Sequence, residues 1–310
     1  MNDKLKGTIY GLLSAAFYGM NPLFTLPLYE RGMSTTSVLF WRYLIALPIL
    51  ALMIKFRGQS LKVDSRLILP LLGLGLLMGY SSLALFLSYR YMDAGIASSL
   101  LFVYPLMVAL IMTFFFREKL TLQTILCLVM AGGGIYMLYS GGTSGTTLSA
   151  AGTLLVMSSS LSYAVYIVCV NFPAIKRIPT VVLTFYVIAF GWLIFGGAVL
   201  ADGNLDLPST TFMWGTAIAL SLLPTVASLV LTTKAIQSIG STPTAILGVF
   251  EPVTALIFGV LLFGEHLSMS DIVGLVLILI AVCTVVAGDS VSKRLMRIRK
   301  LFPRRHNINQ

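Results

Sequence analysis

The chain has 310 residues, 57% of them hydrophobic and 10% charged, with a formal net charge of +10 and a mean hydropathy of +0.94. Soluble globular chains carry about 45–50% apolar and about 25% charged residues. The excess of apolar side chains excludes an ordinary soluble enzyme, a soluble nucleic-acid-binding domain and a disordered chain, and leaves a polytopic membrane protein.

Ten apolar segments follow in order, at roughly 7–29, 35–54, 67–88, 95–116, 120–140, 149–170, 179–200, 210–233, 241–263 and 268–288. Each is near the ~20 residues a bilayer requires. The first follows Lys4 and Lys6 and is long enough to span, so it reads as helix one rather than as a cleavable signal. The connections are short and leave no room for a soluble domain. Cys127, Cys169 and Cys283 all lie inside apolar segments, so no extracellular disulfide framework is readable.

The basic residues orient these segments. With the N-terminus in the cytoplasm, 18 of the 21 Lys and Arg fall on the cytoplasmic side, Arg31 and Arg90 fall on the other, and Arg42 lies within helix two. This asymmetry predicts ten spans with both termini inside, and it accounts for the positive charge without nucleic acid.

The chain also repeats. Pro105, Glu118 and Leu120 stand 147 residues before Pro252, Glu265 and Leu267, and Gly7, Tyr18 and Phe40 stand 145 before Gly152, Tyr163 and Phe185. The predicted halves are residues 1–145 and 146–288, with a basic tail over 289–310. Five spans each is an odd number, so the halves enter the membrane in opposite senses. Inverted repeats of this kind characterise transporters that bind substrate near the midplane.

The residues that carry the pattern are Phe17-Tyr-Gly-Met-Asn-Pro22, Phe40-Trp-Arg-Tyr43, Pro105, Arg117-Glu-Lys-Leu-Thr121 and Gly132-Gly-Gly-Ile135 in the first half. In the second they are Glu251-Pro252, Gly264-Glu-His-Leu-Ser268, Gly274 and Ala281. This pattern resembles the EamA family of the drug/metabolite transporter superfamily over about residues 7–288. The departures are Arg117 where the second copy has Gly264, and Ala281 where the first has Gly134. The resemblance implies a secondary carrier for small metabolites, often an exporter of amino acids or related compounds, and leaves the substrate open. The alternatives are uptake of a vitamin- or nucleobase-like solute, a channel, or an intramembrane enzyme; with one acid and no His at mid-depth, no cofactor and no catalytic residue is expected. Short loops suit a bacterial inner membrane, with a monomer or a homodimer as the assembly.

Polar groups at bilayer depth are costly, about 2.5–3.5 kcal/mol for a central charge. Glu251, the one acid at midplane depth, is a candidate for substrate contact or proton coupling; the alternative is a protonated Glu bonding a carbonyl freed by Pro252. Tyr104 is its repeat equivalent, and each precedes a proline. Tyr18 and Asn21 of helix one, Tyr163 and Tyr166 of helix six, and Tyr80 of helix three complete a predicted cavity lining. The spacing of three puts each of the first two pairs on one helix face. Such a lining suits an uncharged, zwitterionic or cationic amphipathic solute. Any one of these side chains has packing as its plain alternative.

Arg42 lies about 10 Å from the outer end of helix two. Its predicted role is snorkelling to the outer interface, or structural pairing with a carbonyl or acid, ahead of substrate binding. Pro105 and Pro252 read as kinks, and Glu118 and Glu265 as turn or gate residues. His266 stands without the partners a metal site needs. The glycines of helices five and ten permit close packing. The tail has seven Lys and Arg, with an amphipathic spacing suited to the anionic inner leaflet.

Overall fold

The computed structural model describes residues 3–92, 94–117, 122–140, 149–248, 250, 251, 253, 254, 269, 270, 272–274, 276, 277, 280 and 281. Glu118, Pro252, Glu265, His266 and the basic tail lie outside the described residues. Within them all regular structure is helical.

Among the described residues, five helical runs are long and apolar enough to cross a membrane. They are α3 (Thr35–Phe56), α4 (Ser65–Ser88), α8 (Ala150–Val170), α10 (Thr180–Asp202, apolar through Ala201) and a run over Thr211–Ile239. Their surfaces are apolar on the outward side too, with Leu52, Leu69, Leu154 and Leu200 exposed. A helix that is hydrophobic all round and not enclosed by protein must face lipid. The starts are set locally. Ser34 and Ser149 accept from backbone N–H groups of the first turns of α3 and α8, and Thr210 accepts from Met213 N–H at the start of the Thr211–Ile239 run, satisfying donors that have no intrahelical partner.

Three other segments are interrupted among the described residues, which segment lengths do not reveal. The first is α1 (Asp3–Tyr18) followed, after a Gly19-Met20 turn, by α2 (Asn21–Glu30). The fourth is α5 (Ala94–Leu101) and α6 (Tyr104–Phe116), separated at Phe102 and Val103. Pro22 and Pro105 occupy the first turn of the new helices, where a missing N–H costs nothing. The run Thr211–Ile239 is α11 (Thr211–Leu220), a π-helical stretch Ser221–Ala227 around Pro224, and α12 (Ser228–Ile239). After α13 (Ser241–Leu247) the chain turns at Gly248 and is helical again at Phe250 and Glu251. Between these lie α7 (Leu122–Ser140) and the short α9 (Pro173–Lys176).

Packing is reciprocal. α1 lies along α12, as α4 lies along α8, and α10 packs on both α3 and α4. The α4–α10 contact is backbone to backbone. A Cβ on Gly75 would stand 3.0 Å from Gly191 N, and one on Gly79 would stand 2.9 Å from Gly191 O. Without a hydrophobic drive between helices in lipid, such close approach is a main source of association. α7 meets the last described helix where Ser270 Oγ donates to the Met137 carbonyl at 2.8 Å.

The two arginines expected on the outer side are both tied down. Arg31 donates to the Pro27 carbonyl and covers the Phe212 ring at 4.2 Å. Arg90 donates to Thr35 and to the Met33 carbonyl, over the Tyr29 ring. Nearby, the 203–209 loop docks on the start of α3. Ser34 N–H donates to the Asp206 carboxylate at 2.7 Å, Asp206 N–H to Ser37 Oγ, and the Trp41 indole to the Asp206 carbonyl at 2.9 Å.

Candidate substrate site at the helix breaks

The interruptions meet one another. A Cβ on Gly19, in the α1/α2 turn, would collide with the Glu251 carbonyl oxygen, so that turn rests directly on the backbone of Glu251. Glu251 N–H in turn donates to the Gly248 carbonyl at 2.9 Å, closing the turn after α13. The Tyr104 hydroxyl, from the first residue of α6, fills the space that a Gly248 side chain would need. Three broken segments thus converge on one place, and glycine at 19 and at 248 is what lets them.

Into this place project the tyrosines. Tyr18 stacks on Tyr163 with ring centroids 6.0 Å apart and planes 7° from parallel. Tyr104 meets Tyr163 edge-on at 4.9 Å, and Tyr163 stacks on Tyr166 at 6.0 Å. Each such pair contributes about 0.5–1.5 kcal/mol beyond simple burial. The Glu251 side chain is 6% exposed and lies within electrostatic range of Tyr18, Tyr89, Tyr104 and Tyr163. Tyr166 is fully buried, with its hydroxyl facing Thr233 of α12. One acid surrounded by phenols can hold a cationic or hydrogen-bonding group and stack an apolar one.

Arg42 reaches the same region from α3. It does not snorkel: it is 1% exposed. Its Nε donates to Thr225 Oγ1, and its Nη2 lies 3.5 Å from the Pro224 carbonyl. The guanidinium stands over the Phe86 ring at 5.0 Å. The guanidinium thus faces a hydroxyl and a carbonyl of the π-helical stretch. The π-helical stretch supplies the partners, because a widened turn at a proline presents side chains and carbonyls that a regular ladder would hide. Thr225 Oγ1 also donates to the Leu220 carbonyl, five residues back, at 2.8 Å.

Two expectations need correction. Tyr80 does not join the cluster; it is 44% exposed on the outer face of α4, donating to Ser158 at 3.1 Å. Its depth in the membrane follows from residue count, but its direction does not, and the inward face of α4 there is Ser81 and Ser82. Tyr18 and Asn21 do not share one helix face either, because the turn at Gly19 and Met20 separates them: Tyr18 ends α1 and Asn21 begins α2. Asn21 is nonetheless fully buried, and Pro105 is buried at the start of α6.

Tyr43, Phe86, Tyr89, Thr25 and Thr225 were not among the candidates that sequence reasoning selected. Thr25 had a signal: it follows Asn21 by four residues and so shares its face of α2. Tyr43 donates to or accepts from Ser82 at 2.8 Å, a contact between helices that no spacing announces.

Residues 5–140 and 150–287 each match the EamA-like transporter family. A curated relative, described as an uncharacterized transporter, YcbK, from Bacillus subtilis (strain 168), is 23% identical over 288 residues, covering 88% of this chain and 90% of that protein. A solved structure described only as "Crystal structure of protein" superposes with a TM-score of 0.76 over 93% of this chain and 98% of that one, at 18% identity. At that identity the likeness speaks for the fold alone.

Proposed function

From the premise that this chain belongs to the EamA-like transporter family, within the drug/metabolite transporter superfamily, and is a multi-pass membrane transporter, we propose that it is a secondary carrier exporting a small amphipathic metabolite, an amino acid or a relative of one. It works by alternating access of two inverted five-helix halves about the convergent helix breaks, with ten spans and both termini in the cytoplasm of a bacterial inner-membrane protein. Glu251 is the coupling site, taking up and releasing a proton in step with the solute.

The observation that carries this reading is the meeting of the α1/α2, α5/α6 and Gly248 breaks around Glu251 and the four linked tyrosines. Discontinuous helices at mid-depth are where carriers of this architecture bind solute, because irregular backbone inside a membrane is tolerated only where protein or a ligand satisfies it. The reciprocal packing of α1 on α12 and of α8 on α4 supports the inverted pairing, since exchanging the first and third spans of the two halves turns one contact into the other. The repeat-equivalent residues Tyr104 and Glu251 both reach the site.

Counterflow in proteoliposomes tests it. Vesicles preloaded with unlabelled amino acids should accumulate the matching labelled solute with saturation, and a pH gradient should bias the direction. A conductance that rises without saturation and shows no counterflow would identify a channel instead.

A further inference from the structure

Arg42 is held by only part of its guanidinium. Nε and Nη2 face Thr225 and the Pro224 carbonyl, while Nη1 is buried and has no hydrogen-bond partner. Among the described residues no carboxylate lies within ion-pair distance of it. A buried charge with an unused donor is unstable unless something completes it.

The surroundings of that donor are also incomplete. Asn21 is fully buried with neither its amide nitrogen nor its oxygen bonded, and Thr25 Oγ1 is buried without a partner. Asn21, Thr25 and Tyr29 recur every four residues, so they form one face of α2. Tyr29 donates to the Phe86 carbonyl at 3.1 Å, which turns that face toward the end of α4 that the Arg42 guanidinium covers. Three side chains of α2 and α3, each more than nine-tenths buried, therefore carry polar atoms left unpaired. Tyr18 is within electrostatic range of both Arg42 and Glu251.

We propose that Arg42 Nη1, together with Asn21, forms a subsite for the carboxylate of the transported solute. The proposal rests on the transport reading above and narrows its solute class. A guanidinium edge matches a carboxylate with two parallel N–H donors, which no lysine or hydroxyl reproduces. The Asn21 amide adds a donor of fixed direction and leaves its oxygen for an ammonium. Phe86 and Tyr43 shield the subsite from water, which strengthens each charged contact. The other half of the guanidinium keeps its structural task on the π-helical stretch, so the two roles are separable.

The test is counterflow by the full chain in proteoliposomes, using radiolabelled leucine, methionine and phenylalanine, each beside its own amide and its decarboxylated amine. Chloride and gluconate media are compared. The amino acid should move roughly 10- to 100-fold faster than the amide and the amine, the loss expected when a charged hydrogen bond goes unmade. Arg42→Gln, which can still bond Thr225, should bring acid and amide to equal rates. Where Arg42→Gln fails to fold, the acid-to-amide comparison on the unaltered protein decides alone. Equal movement of acid and amide refutes the carboxylate subsite and leaves the carrier reading standing. The same holds if the rates follow chloride rather than the solute's carboxylate, which would make the occupant an inorganic anion. A preference that survives Arg42→Gln removes the assignment to Arg42. No movement of any probe overturns the proposed solute class and the subsite together.

Discussion

Tyr18 and Tyr163 occupy equivalent positions in the two halves, 145 residues apart, and they stack on each other nearly parallel at 6.0 Å. Two residues exchanged by a two-fold axis can touch each other only beside that axis. The stack therefore marks where an axis between the halves would pass, and Tyr104 and Tyr166 join it there through Tyr163. Tyr163→Phe keeps all three ring contacts and should leave thermal stability in detergent nearly unchanged. Tyr163→Ala removes them and opens a void, with a cost on the order of 3–5 kcal/mol for loss of a buried aromatic ring. A melting temperature for Tyr163→Ala equal to that of Tyr163→Phe would show that the stack is not a structural keystone.

Glu251→Gln keeps the side chain's size and hydrogen-bonding capacity but cannot take up or release a proton. If Glu251 couples solute to protons, the variant should still exchange labelled for unlabelled solute, while a pH gradient no longer drives accumulation. Counterflow and gradient-driven flux measured on the same vesicles separate the two. Gradient-driven flux that persists in Glu251→Gln would leave Glu251 as a structural group at the turn before Pro252.

The Tyr104 hydroxyl and the missing side chain of Gly248 share one space. Gly248→Ala forces the two apart and should depress transport by more than about tenfold, as small misplacements in a site do. Tyr104→Phe vacates most of that space. The double variant should therefore recover activity that Gly248→Ala lost, giving a coupling far from additive. Strict additivity in a double-mutant cycle, read from initial rates, would mean that the two residues do not meet in the working protein.

Much of this arrangement could be read from the sequence because lipid imposes long apolar runs and because duplicated halves bring equivalent residues together. Tyr18, Tyr104, Tyr163, Tyr166 and Glu251 are legible from segment position and repeat offset, and the structure brings the four tyrosine rings together. What the sequence hid was direction and interruption. Pro22 and Pro105 begin new helices, yet Pro48 and Pro70 sit inside the unbroken α3 and α4. Proline removes one N–H in every case; neighbouring helices decide whether the ladder continues. Tyr80 differs for a related reason: a helix that is apolar on all sides gives no periodic signal of which face is inward, so its count along α4 says nothing of its direction. Arg42 was legible as costly, but its partners come from a π-helical turn some 180 residues later, and nothing local announces that pairing.

The Asp206 carboxylate supplies a pH test outside the membrane. Hydrogen bonds from Ser34, from its side chain and its backbone N–H, hold this carboxyl below the ordinary aspartate range, with a smaller contribution from Arg90. A carboxyl depressed in the folded state stabilises it at pH above the unfolded value, about 3.9. That contribution is lost as pH falls through and below this value. The readout is close at hand: Trp41 donates its indole N–H to the Asp206 carbonyl and packs edge-on against Trp214 at 5.2 Å. With only three tryptophans in the chain, undocking of the 203–209 loop should register in the fluorescence. The unaltered protein should show a fluorescence transition on acidification below about pH 4. Asp206→Asn should show none there and should resemble the acid form already at neutral pH. An identical acid transition in both proteins would place its cause at another carboxylate and leave the loop's docking to the Trp41 and Ser37 contacts alone.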